Sequence, residues 1–447
     1  MNTMVFICTL LGLQGICWWI GKRSSKGMET QTDYFLGGKR VPFFPLVMTF
    51  LGGQVGGGLV LGSAQEAARI GWWVLLYPLG QVLGMVWIAA GVGRRLASFG
   101  VPTVAQIFEK YYGSPVLKQL ASMLSIGSLF MILVAQVLAT KGFLLSVGVE
   151  SKALFLLFWG LVLTYTGMGG FKAVIKTDLI QASFFVTMFG AAFAYAWFWG
   201  PVAPLAVTNE AVVSGSKLSG WLLMPLLFAA LEQDTGQRCF AAKSESVLRR
   251  SAFTAGGLTF LTCLVPIYFG ILAQRWGLSP ENGSSVLMGA IQLTTSPVMA
   301  ALVGAAIMAA ILATADSLLN AISSNLSQDF AFLKKRSLNA TRVVSVSIGA
   351  LAIFVSFYFS NVVDLLIQAY ELSVCTLVVP LLAALFKKSR GEFRSAALSI
   401  ALGAFGFFLF RIIPVEFPRE VGAIALSLIG YAIGEFLARR RSLPEQT

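Results

Sequence analysis

The sequence contains no histidine. That removes imidazole general bases, Ser-His-Asp triads and histidine-ligated metal centres. Charge is scarce as well. Only 12% of the 447 residues are charged, against the roughly 25% of an ordinary water-soluble domain. So sparse a set cannot coat a soluble surface of this size. Cysteine is confined to Cys8, Cys17, Cys239, Cys263 and Cys375, with no CxxC pair. Neither a thiolate zinc site nor a disulfide framework is expected. Acids are the rarer sign, 20 Asp+Glu against 33 Lys+Arg, for a net charge of +13. A basic excess often marks nucleic-acid binding, but here its distribution points elsewhere.

What the chain has in abundance is apolar residues, 57% of the total. A membrane crossing takes about 20 of them in a row. Thirteen stretches qualify, near 3–20, 42–70, 72–93, 119–147, 153–169, 179–200, 221–237, 252–274, 297–327, 341–360, 362–386, 395–413 and 421–438. The stretches at 42–70 and 297–327 exceed a simple crossing and must tilt, break or extend beyond the bilayer. The expected fold class is an all-α polytopic membrane protein. With the N-terminus outside and the C-terminus cytoplasmic, 26 of the 33 cations fall on cytoplasmic segments, Arg238 and Lys243 among them. This is a strong positive-inside bias, so the basic excess reads as an orientation signal and no nucleic-acid partner is expected. The first stretch has no basic n-region and no cleavage site, and Lys22 and Arg23 follow it. It reads as a retained anchor. The expected setting is a plasma membrane of the bacterial inner-membrane kind, with the lipid bilayer as partner and the monomer as the working unit.

Two crossings are interrupted. The second carries Gly52-Gly53-Gln54-Val55-Gly56-Gly57-Gly58, five glycines in seven residues. Each costs a helix roughly 1 kcal/mol relative to alanine. Such a run reads either as close small-residue packing or as a central unwound stretch. An unwound stretch would aim carbonyls at a cation and the amides of Gly56 and Gly57 at a polar solute. The seventh crossing runs into Glu232-Gln233-Asp234-Thr235-Gly236-Gln237-Arg238, which reads as a second break or as a cytoplasmic helix end with Arg238 and Lys243 paired to the acids. Two interruptions five crossings apart are what an inverted repeat predicts. The expected division is 1–41 (first helix and cytoplasmic loop), 42–200 (repeat 1, spans 2–6), 201–386 (repeat 2, spans 7–11) and 387–447 (two added helices and a short tail).

Several segments, in order, resemble the sodium/solute symporter family. Asp33-Tyr34-Phe35-Leu36-Gly37-Gly38 is similar to the family's approach to its second span. The Gly-Gly-Gln-Val-Gly-Gly-Gly run resembles its broken helix, above all in choline-type members. Residues 169–181, Gly-Gly-Phe-Lys-Ala-Val-Ile-Lys-Thr-Asp-Leu-Ile-Gln, resemble its GG–AV–TD–Q signature. Gln237-Arg238-Cys239-Phe240-Ala241-Ala242-Lys243 resembles its QR–AAK motif. Ala309 to Ser317 resembles its sodium-binding stretch in span 9. The resemblance implies a leucine-transporter-like fold and secondary active, sodium-coupled uptake of a small polar organic solute (amino acid, quaternary amine, sugar or similar) by alternating access, with sodium as coupling ion and no organic cofactor.

Ala310, Ala313, Thr314 and Ser317 recur at three and four residues and share one helix face. The resemblance sets this face against the broken span 2. It implies sodium ligands at the Gly52, Val55 and Ala310 carbonyls and the Thr314 hydroxyl, with Ala313 standing where the family usually has Ser or Thr. It also implies a second cation or proton site at Asp178, Asp316 and Ser317. Asp178 alternatively reads as a helix N-cap. An unpaired acid as deep as Asp316 is usually functional. The solute set is expected to be Gln54, Gly56, Gly57, Tyr77, Gln81, Gln136, Gln233 and Tyr370. No central arginine is expected, which favours a neutral, zwitterionic or cationic solute over a dicarboxylate. Trp72 and Trp73 read as interfacial belt residues. Proton coupling through Asp178, Asp316 or Glu232 is the alternative. A membrane enzyme is disfavoured because no nucleophile–base pair is present, and a sensor because no signalling domain is.

Overall fold

The computed structural model describes residues 1–26, 31–38, 40–201, 214–278, 286–330, 337–359, 362–387, 389–413, 415 and 417–442. Among these residues the regular structure is helical, as hydrocarbon demands of a backbone that must satisfy its own hydrogen bonds. The main helices are α1 Thr3–Ser24, α2 Phe43–Gln54, α3 Ser63–Ile70, α4 Leu76–Trp87, α5 Ala105–Tyr112, α6 Pro115–Ser146, α7 Lys152–Trp199, α8 Gly215–Leu231, α9 Gln233–Ala241, α10 Glu245–Arg275, α11 Pro297–Asp329, α12 Leu338–Val355, α13 Val362–Phe386, α14 Phe393–Ile412 and α15 Arg419–Ser442. Serine sets several starts. Ser114, Ser151, Ser214, Ser244, Ser296 and Ser337 each accept a bond from the backbone N–H three residues on, the N-cap geometry that satisfies an otherwise orphaned donor.

Ten helical stretches are long and apolar enough to cross a membrane, and α2 and α8 are shorter apolar helices. Two of the ten are double length. Lys152–Trp199 has 48 residues, or about 72 Å of helix at 1.5 Å per residue, more than twice the hydrocarbon core. It breaks at Gly170, where φ is 52° and ψ −160°. A Cβ there would meet the Tyr34 carbonyl oxygen at 2.6 Å, so both backbone angle and space require glycine. Gly58–Ser98 has 41 residues and turns at Gly71, with φ 65°. Asp178 therefore sits two turns inside the helical segment that follows Gly170, not at its N-cap.

The α11 helix is the hub. Of its most apolar window 83% is buried inside the protein, against 39% for α14 and 28% for α15. It packs on α7, α6, α1 and α2, while α14 and α15 pack chiefly on each other. Its run of Ala300, Ala301, Gly304, Ala305, Ala306, Ala309, Ala310 and Ala313 lets neighbours approach closely where lipid offers no hydrophobic drive. At one end of the molecule a single bridge ties the approach to α2 to the exit of α9. Val41 N–H donates to the Ala241 carbonyl at 3.0 Å, and Lys243 N–H to the Val41 carbonyl at 3.0 Å. Trp72 and Trp73 are 55% and 53% exposed on the outside of the bundle.

Candidate functional site

Both anticipated interruptions are present, and the first is narrower than the glycine run. Residues Gly52 to Gln54 complete α2. The chain leaves helical geometry at Val55 (φ −89°, ψ 80°) and resumes it by Gly57. The second break is one residue wide, at Glu232, extended at φ −64° and ψ 118° between α8 and α9.

The two breaks face each other across a central cavity. Its lining is Gly53, Gln54, Gly56, Gly58, Leu59, Tyr77, Gln81, Ile132, Gln136, Glu232, Thr314, Leu366 and Tyr370. Six of the eight residues expected to bind solute line this cavity, and a seventh, Gly57, bonds to it through Gln136. Tyr77 and Gln81 project together from α4. The Gln81 amide donates to the Tyr370 hydroxyl of α13 at 3.4 Å. Gln136 of α6 accepts from the Gly57 N–H at 2.7 Å, so this amide of the broken segment is taken by a side chain of the cavity wall. Tyr370 stacks on Phe228 of α8, ring centroids 4.7 Å apart. The free volume is about 20 Å³, room for little more than a water, so the lining side chains nearly fill it. A roomier hollow of about 570 Å³ between Phe43, Arg249, Arg250 and Phe253 lies on the flank, where Phe253 is 64% exposed, and touches none of these groups.

Gln233 does not join them. It lies beyond the Glu232 break and points away, accepting from the Val104 N–H at 2.7 Å and donating to the Pro102 carbonyl at 3.1 Å. It holds the segment leading into α5. The extended residue before it turns adjacent side chains to opposite sides. Glu232, present in the acidic stretch but absent from the expected solute set, is the one that enters the cavity.

Thr314 joins the cavity to the ion-binding face of α11. Its hydroxyl donates to the Gly52 carbonyl at 2.9 Å. A Cβ on Gly56 would meet Thr314 Oγ1 at 2.7 Å, and one on Gly52 would meet Asp178 Oδ1 at 3.0 Å and Ala313 Cβ at 3.2 Å. Gly52, Thr314, Ala313 and Asp178 thus crowd together at the end of α2, with Ala310 fully buried one turn away. Val55 is buried at the break itself.

The expectation of no central arginine is overturned. Arg238, counted by position among cytoplasmic cations, is 1% exposed in the heart of the bundle. It is on α9, beyond the Glu232 break, and its chain lies along Gly53, whose missing Cβ makes room. All five of its N–H donors are engaged. Nε donates to the Thr49 carbonyl at 2.8 Å. Nη1 donates to the Asp234 carbonyl at 3.0 Å and to the Asp234 carboxylate. Nη2 donates to Ser317 Oγ at 2.8 Å and to Asp178 Oδ2 at 3.4 Å. The residues expected to hold a second cation are thereby divided. Asp178 Oδ2 and Ser317 face the guanidinium, and Thr49 donates to Asp178 Oδ2 at 2.5 Å. Asp178 Oδ1 has no partner. Asp316 stands apart, taking the Tyr165 hydroxyl at 2.6 Å and the Thr166 hydroxyl at 2.7 Å.

Glu66 and Glu371 lie outside the cavity, the first paired with Lys217 at 3.0 Å and the second with Arg411 at 2.9 Å.

Residues 34–392 match the Sodium:solute symporter family. The chain belongs to that family. The transporter is 24% identical to the sodium/pantothenate symporter of Haemophilus influenzae over 451 residues, covering 92% of this chain and 91% of the relative. It is 22% identical to the high-affinity choline transporter 1 of Drosophila melanogaster, covering 89% and 69%. A solved substrate-bound, outward-open structure of a Na+-coupled sialic acid symporter superposes with a TM-score of 0.80 at 18% identity, covering 97% of each chain, which shows the fold. The protein is a multi-pass membrane transporter and not an enzyme, and sodium is the coupling ion of its family.

Proposed function

We propose that this chain carries a small polar organic solute inward together with one sodium ion, by alternating access around the central cavity. The observation that carries the reading is the Thr314 hydroxyl set 2.9 Å from the Gly52 carbonyl at the end of a broken helix, on the wall of a polar cavity. Hard oxygens are what a hard cation wants (by extension from). In this reading the Gly52, Val55 and Ala310 carbonyls and the Thr314 hydroxyl hold the sodium. Ala313 contributes no oxygen, and the unpartnered Asp178 Oδ1 beside Gly52 and Ala313 supports a charged ligand at that edge. The Arg238 guanidinium already stands between Asp178 and Ser317, so the second cation is the protein's own. Gln54, Gly56, Gly57, Tyr77, Gln81, Gln136 and Tyr370, with Glu232, meet the solute.

Thirteen crossings follow if the double-length helices each count as two and if α2–α3 and α8–α9 each make one broken crossing. Spans 2–6 and 7–11 then form the inverted repeats, with the N-terminus outside, the C-terminus cytoplasmic and the bacterial inner membrane as setting. One sodium moving inward down a 100 mV potential releases about 2.3 kcal/mol from the field alone, enough to drive accumulation. Proton coupling through Asp316, fully buried and met by the Tyr165 and Thr166 hydroxyls, is the competing reading.

A thermal-shift screen of the purified protein against a solute library, in sodium chloride and in potassium chloride, decides between them. A solute that raises the unfolding midpoint only with sodium is expected. Uptake into proteoliposomes that ignores sodium and follows a pH gradient sinks sodium coupling.

A further inference from the structure

The cavity holds one charged side chain, Glu232, and its lining contains no cation. The nearest candidate, Arg238, has every donor committed to Thr49, Asp234, Asp178 and Ser317. Glu232 is 8% exposed. It accepts from the Gln54 amide at 3.2 Å and from the Thr235 hydroxyl at 2.8 Å. Both bonds land on Oε2, and among the described residues none is seen on Oε1.

Two structural duties could account for a buried acid at this position, and the geometry supports neither. Glu232 is the residue before α9, the N-cap position, but its side chain makes no capping bond to the backbone. Among the described residues it forms no ion pair within 4.0 Å, whereas its neighbour Asp234 does. A buried carboxylate with no cation in contact is costly, and the open side of this one is the cavity.

Building on the reading that this cavity takes the solute, we propose that Glu232 is the counter-ion for a protonated amine, and that the transported class is small solutes bearing an amino group. Glu232 Oε1 accepts an ammonium N–H. The amides of Gln54, Gln81 and Gln136 and the hydroxyls of Tyr77 and Tyr370 offer neutral hydrogen bonds to the rest of the molecule. Leu59, Ile132 and Leu366 close the cavity around about 20 Å³, so the lining parts for a small guest. Acids without an amine find no cationic side chain here and meet a carboxylate instead.

The test is thermal unfolding of the purified full chain in sodium chloride with matched pairs: glycine and glycolate, alanine and lactate, 4-aminobutyrate and butyrate, ethanolamine and ethylene glycol. Glucose, pantothenate and sialic acid serve as amine-free probes. At least one amine is expected to raise the midpoint while its deaminated partner does not. Glu232→Gln should weaken that amine at least tenfold, with Glu232→Asp recovering part of the loss. The wild-type pairs decide the matter if Glu232→Gln fails to fold. Stabilisation by an amine-free probe alone, an unchanged response in Glu232→Gln, or no response to any amine overturns the assignment. Sodium-dependent stabilisation by glucose or pantothenate would leave sodium symport standing and remove only the amine. Amine binding indifferent to sodium would do the reverse.

Discussion

Arg238→Met tests the central electrostatic arrangement. The guanidinium links two fully enclosed carboxylates, and Asp178, Asp234 and Arg238 are 0%, 1% and 1% exposed. Removing one partner of a buried pair costs about 3–5 kcal/mol because a charge is left uncompensated. Here two acids lose their cation at once, so unfolding in mixed micelles of mild detergent and SDS should show a loss at the upper end of that range. The variant also releases Asp178 Oδ2 and Ser317 Oγ, which can accept a sodium ion. Sodium at a hundred times its dissociation constant should then restore about 2.7 kcal/mol. The Hill coefficient for sodium should be one in the wild type and rise towards two in Arg238→Met. Arg238→Lys keeps the charge but has three donors in place of five, so it should fall between the two in stability and hold the coefficient at one. A wild-type coefficient of two, or an Arg238→Met variant as stable as the parent with no added sodium response, would refute the reasoning.

Three further outcomes follow from the same geometry. Thr314→Ala should raise the sodium half-saturation concentration roughly tenfold, the equivalent of about 1.5 kcal/mol for a hydrogen-bonding group at a charge; Ala313→Ser should lower it, both read by sodium titration calorimetry. Gln136→Leu orphans the Gly57 N–H and should cost about 1–3 kcal/mol, with Gln136→Glu, which keeps the acceptor, closer to the parent in unfolding midpoint. Gly53→Ala sets a Cβ 2.6 Å from Asp234 Oδ2 and 2.8 Å from Arg238 Nη2; overpacking of this kind costs about 1–3 kcal/mol, and a midpoint equal to wild type would show that the guanidinium yields easily.

The helices, both breaks and most of the cavity's polar lining were legible from residue type and spacing. Apolar run length reports the long helices directly, and Tyr77–Gln81 and Ala310–Thr314 share faces by helical arithmetic alone. Two residues depart from the sequence reading, each for its own reason. Arg238 was assigned to the cytoplasm because charge counting locates a residue along the chain, not in depth. A guanidinium fully bonded in the core and one in water look alike in sequence. Gln233 was placed with the solute because its neighbour Glu232 is extended rather than helical, and a single extended residue reverses which side chains face inward. The first break is narrower than the glycine run for a different reason. Glycine weakens a helix at Gly52 and Gly53, but there it is required by the close approach of Asp178 and Arg238 and the helix survives.

The bridge between Val41 and Ala242 has a mechanical consequence. Two backbone hydrogen bonds clamp the start of one interrupted crossing to the finish of the other. The segments carrying Gly52 and Glu232 are therefore tied at one point, and parting them there costs about 0.5–1.5 kcal/mol for each bond broken. Spin labels at Arg40 and Lys243 should keep a fixed separation through the transport cycle. Labels at Arg40 and Ser216, across the Glu232 joint, should report the stroke.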